Sequence, residues 1–181
     1  MSRLTIPSFD DAPEESKPIL EAIKKQLGSV PNLFRLIAKS PAALTAYSSG
    51  SGALAKTLDL KTRERIALAV SQVNGCEYCL SAHSYIATNM AKISPEEIAL
   101  ARKGVSTDVK ANAAVQFARK MVEKRGHVEE VDVDEVIRAG FTEAQVVEIV
   151  ALVAETTFTN YMNEVAKTDI DFPVVRAFEP A

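Results

Sequence analysis

Apolar residues return every three or four positions along most of the chain, the period of a helix that buries one face. No stretch alternates apolar and polar residues over strand length, so the pattern predicts an all-α protein of about 7–9 helices. The first helix is expected over residues 13–27 and stops at Gly28. A turn at Val30-Pro31-Asn32 leads into the apolar run 33–38. Ser40-Pro41 pairs a capping residue with proline at the first helical position and opens a helix through about residue 49. The glycines of Gly50-Ser51-Gly52 predict a break there, followed by a short helix over 53–57. Further helices are expected from a Thr62 cap to about 74, from Cys76 or Glu77 to about 90, and from a Ser94-Pro95 cap to about 103. Three more follow over 108–124, over 133–139, and from a Thr142 cap to about 167, with an irregular tail over 169–181.

The run Ile66-Ala67-Leu68-Ala69-Val70 is apolar on all sides, which predicts a helix at the centre of the core. A shift of 80 residues lays Thr62 on Thr142, Ile66 on Val146, Val70 on Val150 and Val73 on Val153. The same shift lays Cys76 on Thr156, Cys79 on Thr159 and His83 on Asn163. The expectation is one all-helical domain over 1–181, with 60–90 and 140–170 as a degenerate repeat or as two amphipathic helices that align by pattern alone.

Composition narrows the classes. The 181 residues suffice to bury a core without staples, and a net charge of −3 with mixed signs and no dense basic run gives nucleic-acid binding no support. No apolar stretch reaches membrane-spanning length, and the longest apolar pattern is interrupted by Glu148 and Glu155. Residues 1–7 lack the apolar core of a secretion signal, so the expected location is the cytoplasm. Thiols are kept reduced there, and a close cysteine pair points to catalysis or metal binding rather than to a structural staple.

That pair lies in Cys76-Glu77-Tyr78-Cys79-Leu80-Ser81-Ala82-His83. On a helix Cys76, Cys79 and His83 form one stripe at i, i+3 and i+7. Cys76 falls at the helix start, where free N–H groups and the dipole favour a thiolate, and Gly75 permits a tight entry turn. Thiol redox chemistry needs a thiolate, a second thiol to trap the oxidised first, and a proton carrier. This segment supplies all three. The other readings are a zinc site of Cys76, Cys79, His83 and His127, and two cysteines that are simply buried. A thioredoxin fold is disfavoured because the strands it needs are missing. Glu64 stands in the first turn of an otherwise apolar helix, where a carboxylate also has a plain explanation in the helix dipole. Tyr78 and Tyr85 read as packing residues with a polar tip.

The block Leu60-Lys61-Thr62-Arg63-Glu64-Arg65, then Cys76-Glu77-Tyr78-Cys79, then His83, resembles the alkylhydroperoxidase D-like and carboxymuconolactone decarboxylase superfamily, most closely its peroxidase-related branch. Val30-Pro31-Asn32-Leu33-Phe34, Ser40-Pro41 and Asp171-Phe172-Pro173 agree, and the resemblance spans nearly the whole chain. It implies a compact all-helical bundle and a homo-oligomer, commonly a trimer or hexamer. It implies that Cys79 attacks a hydroperoxide, that Cys76 resolves it as a disulfide, and that His83 and Glu64 relay the proton. It implies an external dithiol, a thioredoxin-like protein or a lipoyl domain as reductant, and no metal, flavin or haem. Tyr78 stands where the best-studied relatives carry a second histidine, and tyrosine is a poor base at neutral pH. Decarboxylase members generally lack the cysteine pair. The alternatives are a decarboxylase-like enzyme on this scaffold and a non-enzymatic redox sensor or disulfide relay.

Overall fold

The structure, a computed structural model, describes residues 2–178. Among them are nine α-helices and no strand: α1 (Lys17–Leu27), α2 (Asn32–Ile37), α3 (Pro41–Leu54), α4 (Leu60–Val73), α5 (Glu77–Asn89), α6 (Pro95–Arg102), α7 (Val109–Glu123), α8 (Glu130–Arg138) and α9 (Glu143–Ala166). None is long and apolar enough to cross a membrane.

The all-round apolar run puts α4 in the middle, packed against α5, α6, α7 and α9. Ile66, Leu68, Ala69 and Val70 are wholly buried. Three apolar clusters surround it. Ile66 and Val70 meet Val115, Phe117, Val136 and Ile149 from α7, α8 and α9. Leu68 meets Leu80, Ala87, Ile93 and Ala101. The N-terminal helices contribute Leu20, Ile37 and Leu44 to a cluster that also contains Cys76, Tyr78 and Cys79. The cysteine pair therefore sits inside packed core rather than on a loop.

Three local expectations are corrected. There is no break at residues 50–52: α3 runs continuously from Pro41 to Leu54, so no separate helix forms over 53–57. Both glycines take helical dihedrals with nothing near the place a Cβ would occupy, so they weaken the helix without obstructing it. Thr62 does not cap α4. Asp59 does, its carboxylate accepting the Thr62 N–H at 3.0 Å and the Thr62 hydroxyl at 2.6 Å. The segment 13–16 is a 3-10 turn, Glu14–Ser16, ahead of α1. In addition α8 begins three residues earlier than the pattern indicated, where Glu129 and Asp132 form a reciprocal cap. The remaining caps hold: Gly28 at φ 81°, Ser40, Ser94, and Thr142 with Gln145.

The tail is irregular through residue 178, as expected, and 179–181 lie outside the described residues. It is nevertheless tied down. Asn32 N–H donates to Asp171 at 2.8 Å, Val175 N–H donates to the Ser81 hydroxyl at 2.9 Å, and Arg176 pairs with Glu77 at 2.5 Å. These bonds lay the tail across α5.

Candidate active site

The site starts from a helix boundary. Gly75, at φ 68°, takes the left-handed turn after α4 that a side chain would strain, and so reverses the chain into α5. Cys76 is the N-cap of α5, its Sγ accepting the Cys79 N–H at 3.4 Å, the role usually filled by Ser, Thr, Asp or Asn. Cys79 lies one turn in and His83 one turn further. Both cysteines are free thiols.

The two thiols are not equivalent. Cys76 has no exposed surface, whereas Cys79, 2% exposed, lines a cavity of about 500 Å³. His83, Tyr47, Tyr78, Tyr85 and Phe172 line the same cavity. Pro31, Leu33 and Phe34, and Asp171, Phe172 and Pro173, far apart in sequence, both contribute to its wall. From α9, Asn163 Nδ2 donates to Cys79 Sγ at 3.3 Å, and the Thr159 hydroxyl lies 3.9 Å from it.

Electrostatics separate the thiols further. The neighbouring Cys76 thiol holds Cys79 below the usual thiol range despite its burial, with His83 and the α9 amides assisting. Cys76 is pushed up by the neighbouring Cys79 and by burial. The helix start was expected to favour a thiolate at Cys76, and this is corrected. Two buried negative charges side by side cannot coexist, and the cation and the amide donors face Cys79. His83 Nδ1 sits 2.9 Å from Glu64 Oε2. Burial alone would depress its pKa, but the charge and hydrogen bond of Glu64, helped by Cys79 and Glu155, outweigh this and raise it. Glu64 is buried in α4, which a helix-dipole role alone does not require.

Tyr78 is 4% exposed and already engaged. Its hydroxyl donates to Asp171 at 2.8 Å and accepts the Leu33 N–H at 3.1 Å. Burial drives its pKa upward, so it acts as a clamp between α2, α5 and the tail and not as a base. Phe172 packs edge-on against Tyr78 at 5.9 Å and tilted against Tyr85 at 5.8 Å. His127 lies in the exposed turn after α7, and no group of three His, Cys, Asp or Glu among the described residues is placed to hold a metal.

The structure thus brings the cysteines, His83 and Glu64 together. Sequence reading missed Asn163, Thr159, Asp171 and Tyr47. The 80-residue shift held a signal for two of them, since Thr159 and Asn163 fall on Cys79 and His83 and in space both face Cys79.

Comparison with known proteins gives a consistent picture. Residues 38–124 match the carboxymuconolactone decarboxylase family. No curated protein matches the chain. The structure of an alkylhydroperoxidase AhpD core, an uncharacterised peroxidase-related protein from Ralstonia eutropha JMP134, is 25% identical with a TM-score of 0.82, covering 94% of this chain and 92% of that one. A peroxidase-related protein from Silicibacter sp. TM1040 is 25% identical with a TM-score of 0.81, over 93% of this chain and 91% of that one. The debrominase Bmp8 without ligand is 25% identical with a TM-score of 0.75, over 94% and 91%. Residues 38–124 thus match the carboxymuconolactone decarboxylase family, and the chain has the fold of the AhpD-like, peroxidase-related proteins.

Proposed function

We propose that this enzyme of the alkylhydroperoxidase and carboxymuconolactone decarboxylase type is a thiol peroxidase or a closely related disulfide reductase. The observation that carries the reading is the division of labour between the thiols: Cys79 faces the cavity with its proton readily lost, and Cys76 waits behind it. The Cys79 thiolate attacks the terminal oxygen of a hydroperoxide. The O–O bond breaks, and the leaving alkoxide takes the proton held by His83 and Glu64. Cys79 is then a sulfenic acid. Cys76 Sγ attacks its sulfur, the S–O bond breaks, and water leaves with the Cys76 proton. An external dithiol, a thioredoxin-like protein or a lipoyl domain returns both thiols to the reduced state by exchange. No step calls for a cofactor.

The test is a thiol count by mass after one equivalent of an organic hydroperoxide. Wild type is expected to lose two thiols and Cys76→Ser to gain one oxygen on Cys79, while Cys79→Ser neither oxidises nor turns over. Both wild-type thiols remaining free, or sustained turnover by Cys79→Ser, would sink the assignment.

The family match keeps a second reading in view, acid–base chemistry of the decarboxylase kind run by His83 and Glu64 alone. Activity on a lactone or keto acid that survives replacement of both cysteines by serine would select it. Peroxide-driven disulfide formation without turnover in any reductant would instead mark a redox sensor or relay. The resemblance also implies a homo-oligomer. On α9, Val147, Ala151, Ala154, Phe158, Tyr161 and Val165 form an outward stripe spaced by four and three residues, the surface such an assembly would cover.

A further inference from the structure

His83 is a partition between two cavities. The first is the cavity that Cys79 lines. The second is a chamber of about 100 Å³ whose wall includes Tyr47, Ser51, Arg63, Glu64 and Glu155. A single water needs on the order of 10–15 Å³, so the chamber has room for several. Its lining offers hydroxyls and carboxylates, and Arg63 Nε is buried with no hydrogen-bond partner among the described residues. A buried donor of this kind is ordinarily met by water.

Glu155 interrupts the apolar middle of α9 and has no part in the scheme above. It lines the chamber and also the surface groove between α3 and α9, beside Gly50, Leu54 and Phe158. The order from inside to outside is Cys79, His83, chamber, Glu155, groove. The chemistry has use for such a path. Oxidation of the pair moves two protons, one from each thiol, and the Glu64–His83 pair stores only one at a time.

We propose that Glu155 is a second carboxylate of the relay, a positioning residue that faces His83 across the chamber, holds the imidazole protonated and connects it to bulk water. The groups that face His83 or this chamber are Glu64 and Arg63 on α4, Cys79 on α5, Tyr47 on α3 and Glu155 on α9. Burial lifts the Glu155 carboxyl, against the opposing pull of Ser51, His83 and Arg63, towards the range where it exchanges protons.

The proposal rests on the thiol reading, but its test needs no peroxide. The chain has only two histidines, so the His83 ring signal can be followed by NMR through a pH titration and identified by its loss in His83→Asn. In Glu155→Gln the His83 midpoint is expected to fall by about half a unit or more, roughly a threefold loss of proton affinity. The Cys79 alkylation profile should move in step, to higher pH. Glu155→Asp, which keeps the charge, is expected to restore both. An unmoved His83 midpoint in folded Glu155→Gln overturns the proposal. Should that variant not fold, Glu155→Leu, which removes the charge and suits the apolar groove beside it, is expected to lower the His83 midpoint likewise, and no change there overturns the proposal equally. If the titrations behave as expected while wild type ignores hydroperoxides, the relay stands and only the peroxidase reading falls.

Discussion

At the scale of single residues, the asymmetry of the cysteines governs the chemistry. A thiol with an ordinary pKa of about 8.5 is only a few per cent ionised at neutral pH. Cys79 escapes this because the neighbouring Cys76 thiol holds its pKa down, His83 supplies positive charge and Asn163 donates to the sulfur. Thiolate absorbance is therefore expected to rise at a pH well below the ordinary thiol range. An opposite charge a few ångströms away is worth about 1–3 pKa units, so His83→Asn should move that midpoint up and cut alkylation at pH 7 by roughly 2- to 100-fold. Glu64→Gln should act in the same direction and more weakly, since it removes the charge that raises the His83 pKa rather than the imidazole itself. A Cys79 midpoint unmoved in His83→Asn would show that the imidazole does not act on the thiol. Only His83 and Cys79 follow the helical stripe read from the sequence. Cys76, as the N-cap, lies just outside the helix and reaches the site through its cap bond instead.

At the scale of elements, the structure separates signals that stop a helix from signals that only weaken it. Gly75 and Gly28 stop helices because their φ is positive, whereas Gly50 and Gly52 do not. The start of α3 is held by the Ser40 cap and by burial of Leu44, which together outweigh two poor helix formers. Each glycine costs about 0.5–1 kcal/mol relative to alanine, and neither has a neighbour that a methyl group would strike. Gly50→Ala and Gly52→Ala are thus expected to stabilise the fold, by a combined ~1–2 kcal/mol in urea melts. Destabilisation by either would contradict this. Gly104 is the opposite case, since a Cβ there would meet the Arg119 side chain at 2.3 Å on a backbone with φ 79°.

At the scale of the whole molecule, polar ties between distant segments hold the helices in register. Glu97 is the best placed: its carboxylate accepts Arg65 Nε at 3.0 Å, the Ser106 hydroxyl at 2.8 Å and the Thr107 N–H at 2.7 Å, joining α4, α6 and the loop before α7. Burial would raise its pKa, but these bonds win and hold it at about 2. The folded state then binds this proton less readily than the unfolded chain does. Its stabilisation is complete above about pH 5 and is lost as the pH falls towards 2. Glu97→Gln should cost on the order of 2 kcal/mol at pH 7 and flatten the acid side of the stability curve. Equal acid sensitivity in mutant and wild type would reject this. The α9 stripe belongs to the same scale. Val147, Tyr161 and Val165 are more than 60% exposed, and over 18 residues at ~1.5 Å each the stripe is about 27 Å long. Sedimentation is expected to show an oligomer that Tyr161→Asp with Val165→Asp dissociates, and a monomeric wild type would contradict it.

The sequence by itself determined the helical class, the central position of α4, most caps, and the spacing of Cys76, Cys79 and His83. Those features depend on periodicity and short spacings, which neighbours along the chain settle locally. The helix start pointed to Cys76 as the thiolate and the resemblance to Cys79; the choice rests on the neighbouring Cys76, on His83 and on Asn163, 84 residues away on α9. The sequence left open the role of Tyr78, whose hydroxyl is claimed by Asp171, 93 residues on. Glu155 was visible only as a break in an apolar pattern. Its meaning came from tertiary packing, which set it across a small chamber from the same histidine that faces the thiol.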